Sequence, residues 1–116
     1  MNYRNTRIYH RSIDLVTRSQ LVIDNLPRGT AYLADQLRRA ASSVVLNFAE
    51  GCGKTSEAER RRYFFTARAS AYEVATAIDV AKVLGAVQAD EHATALETCD
   101  HICAMLTRFA RQRGGR

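Results

Sequence analysis

Residues 33–64 of the chain read LADQLRRAASSVVLNFAEGCGKTSEAERRRYF, and this stretch has the pattern of two helices joined by a turn. In its first half, apolar side chains recur every three or four residues, which places them on one face of an α-helix. They are Leu33, Leu37, Ala41, Val44 and Phe48. We predict that Gly51 and Gly53 end this helix, because glycine commonly closes a helical C-terminus.

A second helix begins in the other half of the stretch. Ser56 followed by Glu59 makes a capping box, in which each side chain satisfies a backbone N–H left free in the first turn. Apolar residues then follow with helical spacing, namely Tyr63, Phe64, Ala67, Tyr72, Val74, Ile78, Ala81 and Val83. This helix is predicted to run until Gly85, which provides a C-terminal stop.

Two further amphipathic stretches flank this pair. The first runs from about residue 7 to residue 25 and is stopped by Pro27 and Gly29, after which Thr30 can cap the next helix. The last has Asp90 as a candidate cap. Its apolar stripe consists of Leu96, Cys99, Ile102, Cys103, Leu106, Phe109 and Ala110.

Four amphipathic helices with short connections predict an all-α fold, an antiparallel up-and-down four-helix bundle. A chain of 116 residues can bury one core but is too short for two, so we expect a single domain over 1–116. The predicted helices span about 7–25, 31–50, 57–84 and 90–112. A helix-turn-helix DNA reader is less favoured, because these helices are long and their turns lack its tight corner.

The composition indicates the cellular location of the chain and the charge of its partners. Seventeen Lys and Arg against twelve Asp and Glu give a net charge of +5, a balance that suits a polyanionic partner. No apolar run is long enough to span a bilayer, and the N-terminus lacks a signal-peptide core. The three cysteines are an odd number and favour reduced thiols over a disulfide framework. We therefore expect a cytoplasmic protein that does not enter membranes.

Three patterns could carry chemistry, and each is incomplete. GCGKT at 51–55 is half of a phosphate-binding loop, but Phe48 stands where the first glycine is needed and a helix leads in instead of a strand. Cys99, Cys103 and His92 share a helical stripe, yet that stripe is otherwise apolar, which favours core cysteines over metal ligands. No serine, histidine and aspartate set is recognisable. The sequence predicts no enzyme, no cofactor and no metal site.

A polar line beside the apolar stripe of the second helix is unusual. It consists of Gln36, Arg39, Ser43, Asn47 and Glu50, and the third helix offers Ser70 and Glu73 to face it. In an antiparallel pair, we expect Arg39 to meet Glu73 and Glu50 to meet Arg60 or Arg62. The line is either a structural polar seam that fixes helix register or a groove that binds a ligand. The structural seam is favoured, because polar groups that pair with each other inside a bundle need no ligand.

Basic residues form several clusters that could hold phosphates. We select as nucleic-acid contacts Arg38, Lys54, Arg60, Arg61, Arg108, Arg111 and Arg113. Further arginines stand at positions 4, 7, 11 and 18. Tyr63 and Phe64 adjoin the cluster at 60–62 and could stack an unpaired base, but we expect them to turn into the core.

Two strings, QLRRAASSVVLNFAEG at 36–51 and RYFFTARASAYE at 62–73, resemble the bacterial four-helix-bundle family of 23S rRNA intervening-sequence proteins. Members are encoded within inserts of large-subunit rRNA genes or elsewhere. The chain departs from the family pattern at Cys52, where the family often has an aromatic residue. It also has Val45 and Leu46 where a proline is common.

The family is related to the accessory variability protein of diversity-generating retroelements, a ring-shaped homopentamer that associates with a reverse transcriptase and nucleic acid. The resemblance thus implies the bundle fold and a homopentamer, and it implies no enzymatic activity. The function expected is a homo-oligomeric scaffold that presents a basic surface to RNA or DNA, or to a bound protein such as a reverse transcriptase. The alternative is a structural or protein-binding module whose charge serves solubility.

Overall fold

The computed structural model describes residues 2–112 and consists of four α-helices that follow a short 3-10 helix. The helices are α1 (Arg7–Asp24), α2 (Ala31–Cys52), α3 (Glu57–Val83) and α4 (Ala89–Arg111). Each packs against the next along the chain, and α4 packs against α1, so that they enclose one shared core. The prediction of an all-α four-helix bundle is confirmed. Within the described residues, none of these helices has the length and apolar character to cross a bilayer.

Contacts between side chains show that neighbouring helices run in opposite directions. Gln36, early in α2, donates a hydrogen bond to Glu73, late in α3. Phe48, near the end of α2, lies against Phe64, near the start of α3. The same reversal joins α1 to α4 and α3 to α4, so the bundle has the antiparallel arrangement that short connections favour.

Three phenylalanine rings close the core where the α2–α3 turn lies. The ring centroids of Phe48 and Phe64 are 5.9 Å apart, and that of Phe109 is 5.6 Å from the first and 5.7 Å from the second. The Phe48 and Phe64 side chains have no exposed surface. Such ring pairs add about 0.5–1.5 kcal/mol each beyond the burial of their area. The cluster thereby fixes the ends of α2, α3 and α4 against one another.

Gly51 does not end α2, and that prediction is wrong. The helix continues through Cys52, and Gly53 takes the capping position. A β-carbon built on Gly51 would lie only 2.6 Å from Cε1 of Phe64. The glycine is needed because α3 approaches the α2 backbone closely there, and not because the chain must turn.

The starts of the helices agree only partly with the sequence. Ser56 caps α3 as predicted, since its hydroxyl oxygen accepts the backbone N–H of Glu59 at 3.3 Å. Thr30 precedes α2, but its hydroxyl donates to the carbonyl of Pro27 at 2.6 Å and does not cap the helix. The predicted cap at Asp90 is wrong, because this residue already lies inside α4, where a carboxylate stabilises the first turn through the helix dipole.

The stop at Gly85 is confirmed. Its φ is +81°, in the left-handed region that favours glycine. The N–H of Ala86 donates to the carbonyl of Ala81 at 2.9 Å, and the N–H of Gly85 donates to that of Lys82 at 3.0 Å. These two bonds satisfy carbonyls that α3 would otherwise leave free at its end.

Candidate nucleic-acid interface

Contacts between helices at one level define the middle of the bundle. Arg11 of α1 donates a hydrogen bond to Nδ1 of His101 on α4 at 2.8 Å. Ser43 of α2 and Ser70 of α3 hydrogen-bond to each other at 2.8 Å. α3 and α4 also meet at this level. The chain can therefore be divided at these residues into two halves that occupy opposite ends of the bundle.

The two halves carry opposite charge. We call residues 2–11, 43–70 and 101–112 the basic half, because it holds ten Arg and Lys but three Asp and Glu, a net charge of +7. The acidic half, residues 12–42 and 71–100, holds five against nine, a net charge of −4. The cations of the basic half are Arg4, Arg7, Arg11, Lys54, Arg60, Arg61, Arg62, Arg68, Arg108 and Arg111. A modest overall charge is thus concentrated at one end of the molecule.

The structure gathers most of the basic residues selected from the sequence, but not all. Lys54, Arg60, Arg61, Arg108 and Arg111 lie in the basic half. The first of the selected set, Arg38, lies in the other half and forms an exposed ion pair at 3.1 Å with a carboxylate one turn earlier in α2. The last, Arg113, lies outside the described residues.

Two cations near the α2–α3 turn, half-buried Lys54 and exposed Arg61, form only weak ion pairs within the chain. Lys54 lies 3.5 Å from Glu50, and Arg61 lies 3.4 Å from Glu57. Ion pairs that water reaches at the protein surface contribute little to stability, because water screens them and two long side chains must be ordered. Lys54 and Arg61 can therefore exchange these carboxylates for a phosphate at small cost.

Arg60 has a different role from its neighbours in sequence. Its Nη1 lies 3.3–3.4 Å from the carbonyl oxygens of Gly51, Cys52 and Lys54, and its guanidinium lies over the ring of Phe64. These carbonyls belong to the end of α2 and the turn, where a cation is favourable. The geometry therefore assigns Arg60 to holding the turn, and we remove it from the set of phosphate contacts.

This role predicts a stability difference between two adjacent arginines. Replacing Arg60 by methionine keeps much of the apolar stem but removes the contacts to three carbonyls, so we expect the free energy of unfolding to fall by about 1 kcal/mol. Arg61→Met removes only an exposed ion pair and should change it by less than about 0.5 kcal/mol. Urea denaturation of both variants measures this, and equal effects would contradict the role given to Arg60.

The groove between α1 and α4 places Arg7, which was not selected as a phosphate contact from the sequence, beside Arg108, which was. Arg7 and Arg108 line it together with Met105 and Phe109, and the Arg11–His101 contact lies farther along the same pair of helices. Arg7 and Arg11 are one helical turn apart, so the spacing along α1 was visible in the sequence. The sequence does not show the register between α1 and α4, which places both arginines beside the C-terminal turns of α4.

Tyr63 and Phe64, the two aromatic residues that could stack a base, do not form an open stacking platform. Phe64 is fully buried, as expected. Tyr63 is half-buried, and two cations already lie over its ring, with Nζ of Lys54 at 5.3 Å and the guanidinium carbon of Arg62 at 4.6 Å from the centroid. These two rings are therefore not available to stack an unpaired base.

The polar line between α2 and α3 is formed in part. Ser43 is its centre: it hydrogen-bonds with Ser70, and Nδ2 of Asn47 donates to its carbonyl at 2.9 Å and to its hydroxyl at 2.8 Å. Farther along, Gln36 donates to Glu73 at 3.2 Å. These bonds satisfy polar groups beside the core and need no ligand to explain them.

The ion pairs expected for Arg39 and Glu50 are absent from the described chain. Both side chains are exposed on α2, away from the hydrogen-bonded line. Glu73 accepts from Gln36 instead, and Glu50 lies beside Lys54. The helical rotation of about 100° per residue carries Arg39 and Glu50 outward past the contact with α3, which the three- and four-residue spacing alone does not reveal.

The thiols are poor candidates for metal binding or nucleophilic chemistry. Burial raises the pKa of Cys99 to about 12, and it also raises the pKa values of Cys52 and Cys103. A thiol must lose its proton to act as a nucleophile or ligand, so these groups are weakly reactive near neutral pH. His92 contacts Asp79 at 2.7 Å, and within residues 2–112 no three His, Cys, Asp or Glu side chains come together as metal ligands.

A comparison with protein-family models agrees with the fold. The model described as 23S rRNA-intervening sequence protein matches residues 4–108, which includes all four helices except the last three residues of α4. No curated protein matches the chain.

Proposed function

Because the chain belongs to the 23S rRNA-intervening sequence protein family, we propose that it is a cytoplasmic, non-enzymatic, homo-oligomeric scaffold that presents its basic half to nucleic acid. This surface binds RNA or DNA directly, or it binds a protein that is already attached to the nucleic acid, such as a reverse transcriptase. Five copies is the number that the resemblance implies. The oligomer multiplies the basic surface of one chain.

The separation of charge supports this proposal most strongly. Ten cations against three acids in one half create a local positive potential that the net charge of +5 does not suggest. Attraction to phosphates releases counterions, so a clustered set of arginines is sufficient for binding that ignores base sequence. The acidic half repels the same polyanion and thus orients the bundle on it.

The cations proposed to contact phosphates differ slightly from those selected from the sequence. Lys54, Arg61, Arg108 and Arg111 remain, and Arg7 joins them because it lines a groove with Arg108. Arg38 is removed because it lies in the acidic half. Arg60 is removed because its guanidinium contacts the backbone of the turn.

A protein-binding module without a role in nucleic-acid binding is the second candidate. It is supported by large apolar side chains that remain exposed, among them Tyr72 at 58% and Val83 at 86%. Such side chains on one helix are typical of a surface that another protein covers.

Binding across a salt series separates the two candidates. Purified protein is titrated with structured RNA and with duplex DNA between low and physiological salt. Five phosphate contacts predict a slope of log K against log salt of roughly −4, since each contact contributes about −0.7 to −0.9. Absence of binding at low salt would contradict the proposal and favour the protein-binding module, which capture of a defined protein partner would then support.

A further inference from the structure

A continuous groove runs between α1 and α4 from the basic half toward the acidic half. Its first part, with a volume of about 290 Å³, lies at the basic end between the start of α1 and the last turns of α4. Its second part, with a volume of about 370 Å³, continues along the same two helices. Arg7 lines both parts, so they form one surface.

The two parts of this groove differ in chemistry. In the first part, Met105 and Phe109 provide an apolar floor beside Arg7 and Arg108. In the second part, every lining side chain is polar or charged. An amphipathic helix of a protein partner requires an apolar groove along its whole length, which is not present here. A floor for a flat apolar group beside a row of cations suits a nucleic-acid strand, whose bases have apolar faces and whose phosphates are charged.

The cations of the groove are available to bind phosphates. Arg7 and Arg108 are exposed, and neither has a hydrogen bond or ion pair within residues 2–112. Arg11 follows Arg7 after one turn of α1, about 6 Å farther along the helix axis. A similar distance separates successive phosphates of an extended strand. Neighbouring phosphates of one strand can therefore contact Arg7 and Arg11 in turn.

Acidic residues end this positive stretch near the middle of the bundle. Asp14 and Glu97 line the second part of the groove. Arg18 lies beyond them and is held by two carboxylates, with Nε at 2.8 Å from Asp14 and Nη1 at 3.1 Å from Glu91. The groove therefore holds roughly two consecutive phosphates before its charge changes sign.

The partner of Arg11 gives the groove a property that a plain basic surface lacks. Nη1 of Arg11 lies 2.8 Å from Nδ1 of His101. A guanidinium has donors only, so Nδ1 must accept, and His101 is neutral in this contact. A protonated His101 would place two cations together, an arrangement that becomes favourable when an anion binds between them. A phosphate at Arg11 therefore favours protonation of His101.

We infer that the groove between α1 and α4 binds one unpaired strand of nucleic acid. A base lies on the apolar floor, one adjoining phosphate contacts Arg7 and Arg108, and the next contacts Arg11 and His101, which gains a proton on binding. The inference rests on the proposed function and specifies the form of nucleic acid that the basic half binds. A duplex does not meet these requirements, because its bases are paired and stacked inside it.

The preference for a single strand is tested by fluorescence anisotropy at low salt, with a labelled oligothymidine strand and a stable hairpin duplex of similar length. A duplex has the higher charge density, so attraction to charge alone would favour the duplex. We expect the single strand to bind at least about fivefold more tightly, because it adds a base contact. Duplex binding as tight as single-strand binding would overturn the inference alone, whereas no binding to either would contradict the proposed function as well.

A second test locates the strand in the groove. Arg11→Gln removes a charge from the groove but keeps a polar amide, and we expect it to weaken single-strand binding about fivefold. Arg62→Gln is the matched control, because Arg62 is an exposed arginine of the same half that lies on α3. It should change the affinity less than about twofold. Equal losses in the two variants would contradict binding in the groove, and circular dichroism verifies that both keep their helices.

Proton uptake predicts that single-strand affinity rises as the pH falls. The charged and titratable groups that line this part of the groove are Arg7, His10, Arg11, Asp14 and Arg18 from α1 and Glu97 from α4. Arginine and the carboxylates keep their charge between about pH 6 and pH 8, so the histidines account for a change in this window. Bound phosphate favours protonated His101, so the gain in affinity is full at the acidic end of the window and is lost at the alkaline end.

Two histidine variants identify the group that takes up the proton. We expect the native protein to bind the single strand about fivefold more tightly at about pH 6 than at about pH 8. His101→Gln can still accept the hydrogen bond from Arg11 but cannot titrate, so it should lose most of this rise. His10→Gln, in the same groove, should keep it. A rise that is unchanged in His101→Gln, or absent from the native protein, would overturn the role of His101 in the inference.

Discussion

Replacing Gly51 by alanine is expected to lower the free energy of unfolding by about 3 kcal/mol, although alanine normally favours a helix. The new β-carbon would lie 2.6 and 2.9 Å from two ring atoms of Phe64 and 3.1 Å from the β-carbon of Tyr63. The Phe64 ring has no exposed surface and is held by two further phenylalanines. Because it has no room to yield, α2 and α3 must separate.

Gly53 provides the matched control for this substitution. A β-carbon there meets no atom closer than 3.5 Å, and the residue has no positive φ. Gly53→Ala should therefore change the free energy of unfolding by less than about 1 kcal/mol and is expected to be neutral or stabilising. Denaturant titration measures both variants, and a Gly51→Ala protein as stable as the Gly53→Ala protein would contradict the close approach of α3 to α2.

Reversing two charges in the α1–α4 groove should weaken nucleic-acid binding roughly 100-fold. The variant is Arg7→Glu with Arg108→Glu, and each position contributes a charge-assisted contact of about 1.5 kcal/mol in the proposed complex. The loss of two phosphate contacts should also make the slope of log K against log salt shallower by about two. Fluorescence anisotropy with RNA and with DNA measures both quantities.

The control changes the net charge equally at the other end of the bundle. Arg28→Glu with Arg38→Glu alters two exposed arginines of the acidic half. We expect this variant to bind within about threefold of the native protein, since exposed charges beyond a Debye length from the ligand are largely screened. Equal losses of nucleic-acid affinity in the two double variants would mean that net charge governs binding and that the basic half has no special role.

The fold could be read from the sequence because its evidence is local. Apolar spacing and short connections identify four helices and their order, and the Ser56 cap and the Gly85 stop depend on adjacent residues only. Gly51 was misassigned because the reason for a glycine there is a phenylalanine ring on another helix. No pattern within α2 contains that information.

The candidate site was harder to predict, because it depends on register between helices. Lys54, Arg61 and Arg108 are visible as basic residues, but their common location follows only when α2 and α3 turn back and α4 ends beside α1. Arg60 resembles its neighbours in sequence, yet it differs from them by pointing at backbone carbonyls. Arg39 and Glu73 were expected to form an ion pair, but Glu73 accepts a hydrogen bond from Gln36 instead.

The most direct test of the central claim is hydrogen exchange of the native protein with and without bound nucleic acid, read by mass spectrometry. Contact through the basic half predicts slower amide exchange in residues 2–11, 50–62 and 101–112 on addition of RNA or DNA. Residues 24–38 and 79–91, at the acidic end, should exchange at an unchanged rate. Protection at the acidic end, with none at the basic end, would contradict the proposed interface.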